Sequence, residues 1–262
     1  MRAIASLAVV FACVSALLGA HPPQAIARDG AATAAATCQG LTSDAARGGC
    51  LSAEADARLL QMHQALDRLE SLDAGASVGS RVSLKPSLLQ AESEWERWIA
   101  DECRLEGDIL RGSAGGVAEP ACRLRLITER TQTLQTMAQN GGAGLAGSMA
   151  SNEGCAQPSD RAQLECLNQQ VAAADPQLNA LYQSVLEALP VNDPNDQRGN
   201  RAQLVKAQAD WRAFAEANCQ YVGASEGGSN LWITNFATRC LLDETRRRIL
   251  FFEREAAGKG GS

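Results

Sequence analysis

Apolar positions recur at helical spacing in six stretches, and the six fall into two similar sets. In the first stretch Leu59, Met62, Leu66 and Leu69 are three and four residues apart, which makes one apolar face of a helix over about 52–72. Ser52 stands where an N-cap belongs. In the second, over 85–105, Leu88, Ala91, Trp95, Trp98 and Glu102 follow a near-heptad, with Pro86 in the first turn, where its missing N–H costs nothing. The third starts near Pro120 and aligns Leu124, Ile127, Thr131 and Leu134. The plan then repeats. Asp175-Pro176 precedes a stripe of Leu178, Leu181, Tyr182, Val185 and Leu189. A second helix over about 200–221 holds Leu204, Gln208, Trp211, Phe214 and Ala215, and a third runs from about 232 to 255. Trp95, Trp98, Trp211, Phe214 and Tyr182 are the expected core anchors.

The cysteines mark the same duplication. Successive spacings are 12, 53 and 19 from Cys38 through Cys50 and Cys103 to Cys122, and 11, 53 and 21 from Cys155 through Cys166 and Cys219 to Cys240. Trp95 stands eight residues before Cys103, and Trp211 eight before Cys219. The expectation is an all-α chain of two tandem small three-helix domains, each braced by disulfides. Domain one covers 38–137 and domain two 153–256. Residues 138–152 hold four glycines and no charged residue, the composition of a flexible linker, and 257–262 form a flexible tail.

Residues 1–27 have the character of an export signal: Arg2, an apolar run from Ile4 to Leu18, and Ala25-Ile26-Ala27 as a cleavage site, with the cut after Ala27. The Ala-rich 28–37 then reads as a disordered mature N-terminus. The expected location is periplasmic or secreted, with no transmembrane helix in the mature chain. Losing Cys13 with the signal leaves eight cysteines, an even number that fits disulfides in an oxidising compartment. Four per domain allow three connectivities. A helical hairpin that sets the start of its first helix beside the end of its second favours Cys50–Cys103 with Cys38–Cys122, and Cys166–Cys219 with Cys155–Cys240. The net charge of −6 argues against nucleic acid and permits a cationic partner.

Catalytic signatures are missing. His63 is the one histidine left after the signal, and it lies beside an apolar stripe. No metalloprotease, nucleophile-elbow, phosphate-loop or dinucleotide motif occurs, and no CxxC. No cofactor or metal is expected. Glu92, Glu94 and Glu96 read as a solvated face. The better candidates for binding are two glycine-rich connections tied by cysteines, 104–121 with Gly107, Gly112, Gly115 and Gly116, and 220–239 with Gly223, Gly227, Gly228 and Asn230.

The second copy resembles the LprI-type lysozyme-inhibitor domain along its whole length. Cys155 is followed by Ala162-Gln163-Leu164-Glu165-Cys166, then Ala174-Asp175, Leu178-Asn179 and Tyr182. Next come Leu204, Gln208, Trp211, Phe214 and Cys219, and the copy closes with Cys240-Leu241, Thr245 and Arg248. The first copy resembles a diverged member, with Trp98 for the Phe, Glu92 for the Gln and Ile127 for the Thr, while Arg130 is kept. The resemblance implies a non-enzymatic exported inhibitor that docks on lysozyme or another basic envelope protein and occludes its cleft. The other reading is a structural or interaction module of the envelope. On physical grounds Arg248 is expected to pair with Asp175 or Glu216 and fix helix register.

Overall fold

A computed structural model describes residues 37–77, 83–110, 112–142, 155, 159–189 and 199–258. The expected export signal, most of the N-terminal segment and linker residues 143–152 lie outside these, as does 259–262. The described residues are all-α. Six long helices run α1 Asp44–Ser77, α2 Lys85–Leu110 and α3 Gly112–Gln139 in the first copy, and α4 Asp160–Ala188, α5 Asn200–Glu226 and α6 Asn230–Gly258 in the second. Among them no helix is long and apolar enough to cross a membrane.

The helices are longer than the apolar stripes predicted, because capping residues outside the stripes set their ends. α1 is capped by Ser43, whose hydroxyl accepts from the Ala46 N–H, and not by Ser52. α4 begins behind Ser159, which caps through Ala162, so Asp175-Pro176 lies mid-helix. Pro120 is likewise interior to α3. α3 stops at Gly141 and Gly142, whose φ values of 73° and 82° suit glycine, and the Gly142 N–H returns to the Met137 carbonyl.

Within a copy the first helix packs along the third, not along the second. The two run parallel. The backbones of Gly48 and Gly116 touch, Asp56 faces Arg123 at 3.8 Å, and Gly142 lies against Leu72. α4 and α6 repeat this, with Asp160 beside Asn235, Gln170 beside Arg246 and Gln177 beside Glu253. The second helix runs antiparallel to the third. This corrects the expected disulfides. Without a hairpin between first and second helices, Cys50 and Cys103 have no reason to meet. The bridges are Cys38–Cys50, Cys103–Cys122, Cys155–Cys166 and Cys219–Cys240. One of each pair clips the segment before the first helix onto it, and the other ties the end of the second helix to the third.

The two copies pack against each other. α2 packs against α5, and one apolar core runs through both copies. Leu88, Trp95 and Ile99 of α2 belong to it together with Leu204, Trp211, Phe214 and Tyr221 of α5. A small satellite core gathers Cys155, Leu167 and Leu242. Of the expected core anchors, Trp95, Trp211 and Phe214 are buried, and Trp98 and Tyr182 are half-buried against the core.

Candidate functional site

The centre of the molecule is the contact of α2 with α5. Trp98 stacks on Phe214 with ring centroids 5.3 Å apart and planes 10° from parallel. These residues occupy the same position in the two copies, five before the third cysteine, so the stack marks an approximate two-fold relation. Two buried arginines flank it in the same relation, each eight residues after its fourth cysteine. Arg130 donates from Nε to Glu92 Oε1 at 3.1 Å and from Nη1 to Asn218 Oδ1 at 2.8 Å, while its Nη2 also pairs with Glu92. Arg248 donates from Nε to Gln208 Oε1 at 2.8 Å, and its Nη1 forms an ion pair with Glu102 Oε1 at 2.9 Å. Glu102 Oε2 accepts from Trp98 Nε1 at 3.2 Å. Each arginine therefore holds one group of its own copy and one of the other.

This corrects the partner expected for Arg248. Asp175 and Glu216 are both exposed, and Glu216 accepts from Gln220 on its own helix at 3.3 Å. Phe251 and Phe252 close over the Arg248 guanidinium, their centroids 4.6 and 4.5 Å from its central carbon. Glu92, read as part of a solvated face, is buried. A sequence signal for the network existed. Glu102 stands on the apolar stripe with Trp95 and Trp98, an acid where the pattern asks for a core residue, and two arginines share one offset from the fourth cysteines. Sealed from solvent and neutralised in place, these carboxylates hold helices together.

The two expected binding loops are almost entirely helix. Gly107, Gly115 and Gly223 are buried glycines of helix–helix contact. A Cβ on Gly115 would run into the Gly107 carbonyl, and one on Gly223 would stand 2.7 Å from the Ile233 carbonyl oxygen and 2.9 Å from Ala237 Cβ. Gly112 opens α3, and Gly116 offers its carbonyl to Gly48. What remains of the second connection is a turn at Gly227 and Gly228, with φ of 63° and 89°, and Asn230 is the first residue of α6.

That turn carries an aromatic tip which sequence reasoning missed. Trp232 is 40% exposed, whereas Trp95 and Trp211 are buried. Its indole packs on Phe236 at 4.9 Å, and the Arg239 guanidinium lies 5.5 Å from the Phe236 ring centroid. Burial lowers the Arg239 pKa, and Asp243 and Glu226 pull it back up. Its one sequence signal was a tryptophan within four residues of a Gly-Gly turn.

The same end of the molecule bears an acidic corner. α2 and α5 run antiparallel, with Asp101 against Lys206 and Asp108 against Gln203 at the far end, so the start of α2 lies with the end of α5. There a shallow cleft of about 370 Å³ is lined by Asp67, Glu70, Ser71, Asp73, Ser83 and Lys85. Burial would raise the Asp73 carboxyl, but hydrogen bonds from Ser83, Leu84 and Lys85 outweigh it and hold the pKa low, so Asp73 caps α2 as an anion. Beneath it Tyr221 is buried, and burial, opposed by Arg130, pushes its phenol up to about 12. Trp232 and this cleft are the exposed aromatic and the acidic concavity of that end. Among the described residues no group of three or more His, Cys, Asp or Glu is placed to hold a metal ion.

The family model described as Lysozyme inhibitor LprI matches the chain twice, over residues 34–134 and 154–251. No curated protein matches. Among solved structures, the crystal structure of an uncharacterised protein from Burkholderia thailandensis is similar at a TM-score of 0.52 and 18% identity, covering 90% of this chain and 96% of that chain. That likeness is one of fold.

Proposed function

We propose, because this chain belongs to the lysozyme inhibitor LprI family, that it is an exported, non-catalytic inhibitor that docks on a basic lysozyme-type glycosidase and occludes its cleft. The observation that carries this reading is the match of the family to both copies, most of the chain. The four disulfides suit an extracytoplasmic compartment, where such a target and an oxidising environment meet. The net charge of −6 favours encounter with a cationic enzyme. Trp232 offers an exposed aromatic anchor, and the acidic corner at the same end offers negative charge to a basic partner. The copies share a core, so the face is presented on a rigid body and little ordering entropy is lost on binding.

The test is lysozyme activity against the purified, oxidised protein, with binding measured across a salt series. Near-stoichiometric inhibition and an affinity that falls steeply as salt rises are expected. Undiminished lysozyme activity at a large molar excess rejects the reading.

A further inference from the structure

The buried charges at the contact between the copies are unequally divided. Copy one contributes Glu92, Glu102 and Arg130. Copy two contributes Arg248 with two neutral amides, Gln208 and Asn218, at the positions where copy one has its acids. Alone, the buried face of copy one carries an excess carboxylate and that of copy two an excess guanidinium. Together they cancel, and each arginine reaches across to the other copy as well as to its own.

We propose that this asymmetry is a pairing code: the α2 face of copy one accepts a copy-two repeat and rejects a second copy one. If two copy-one repeats met through this face, two surplus carboxylates would be buried. If two copy-two repeats met, two guanidiniums would be buried with only amides beside them. Burying unpaired charge is strongly unfavourable. Shape alone discriminates little, since Trp98 and Phe214 on the approximate two-fold axis are both flat rings that could stack on their own kind. The code matters because tandem repeats of similar structure are prone to pair wrongly between chains. A polar group buried at one position is an attested device for fixing partner choice. The partner that the face does fit in another molecule is copy two of a second copy of this chain, in an exchanged dimer that reproduces the same contacts.

The test uses the full, oxidised chain in four forms: wild type, Glu102→Gln, Gln208→Glu, and both together. The double variant gives each arginine a carboxylate from its own copy and makes the two faces electrically alike. Equilibrium unfolding in guanidinium measures the first consequence. Each single change is expected to lower the folded-to-unfolded ratio by about a hundredfold or more, and the double to return to within about tenfold of wild type. Light scattering after refolding at high concentration measures the second. The double variant, its faces no longer discriminating, is expected to give a larger fraction of chain-to-chain dimers than wild type. Additive losses in the double variant overturn the coupling, and a dimer fraction no higher than that of wild type overturns the code. Where a single variant does not fold, the double still decides: folded, it supports the coupling; unfolded, it overturns it.

Discussion

Replacing Trp98 with Ala tests whether the two copies are one cooperative body. Trp98 is half-buried, stacks on Phe214 of the other copy at 5.3 Å, and donates its indole N–H to buried Glu102 at 3.2 Å. Truncating a core aromatic to Ala costs about 3–5 kcal/mol. Partial exposure places Trp98 at the low end of that range, while loss of the donor to a buried carboxylate adds about 1.5 kcal/mol or more. The sum is about 4.5 kcal/mol, a large share of the ~5–15 kcal/mol by which domains are stable. Trp98→Phe keeps a ring for the stack and isolates the hydrogen bond, so its loss is expected at about 1.5–3 kcal/mol. The assay is guanidinium unfolding with disulfides intact, followed by far-UV circular dichroism and by fluorescence, which reports Trp211 and Trp232 of copy two as well. One transition is expected in wild type, and in Trp98→Ala the whole transition moves to lower denaturant. A biphasic curve in which the fluorescence change of copy two keeps its wild-type midpoint would refute the single-core reasoning, since the perturbation sits on copy one.

Other outcomes follow from the same packing. Arg248→Met leaves Glu102 buried without its cation and is expected to cost about 3–5 kcal/mol in chemical denaturation, whereas Arg47→Ala, which breaks a partly exposed pair with Asp44 within one helix, is expected to cost under about 1 kcal/mol. Gly223→Ala forces a methyl against the Ile233 carbonyl and should lower stability by about 1–3 kcal/mol in the same measurement. Trp232→Ala is expected to leave the unfolding midpoint nearly unchanged while weakening lysozyme binding at least about tenfold by calorimetry, the loss typical of an interface anchor. Tyr221, with its folded pKa raised to about 12, is neutral in both states below pH 10 and ionises first in the unfolded chain above it; stability should fall from pH 10 towards 12, and the native tyrosinate absorbance should show a late step that Tyr221→Phe removes.

Periodicity carried the helices because each long helix buries one stripe, and stripes are local. The duplication was legible for the same reason, as two tryptophans and eight cysteines at matched offsets. What periodicity does not encode is which helix faces which. The stripes on α1 and α2 fit a hairpin as well as they fit the observed arrangement, so the cysteine partners were assigned to a packing that does not form. The stretches around Gly107 and Gly223 looked like loops because glycine is read as a breaker; here small side chains serve the close approach of two helices, a role that depends on a partner helix about ten residues further along. Ends were missed where the cap lies outside the stripe, as at Ser43 and Ser159. The arginine network was half legible. Arg130 and Arg248 were visible at matched positions, but a partner contributed by the other copy lies beyond any reading that treats the copies as separate.

The bridges join cysteines in the order in which they occur, first to second and third to fourth, in each copy. A chain threaded N-terminus first into an oxidising space presents Cys38, then Cys50, so that pair can close before Cys103 has emerged. An oxidant that joins each new thiol to the one still waiting makes the native set at every step. The covalent frame can then be written once, along the direction of synthesis, without reshuffling.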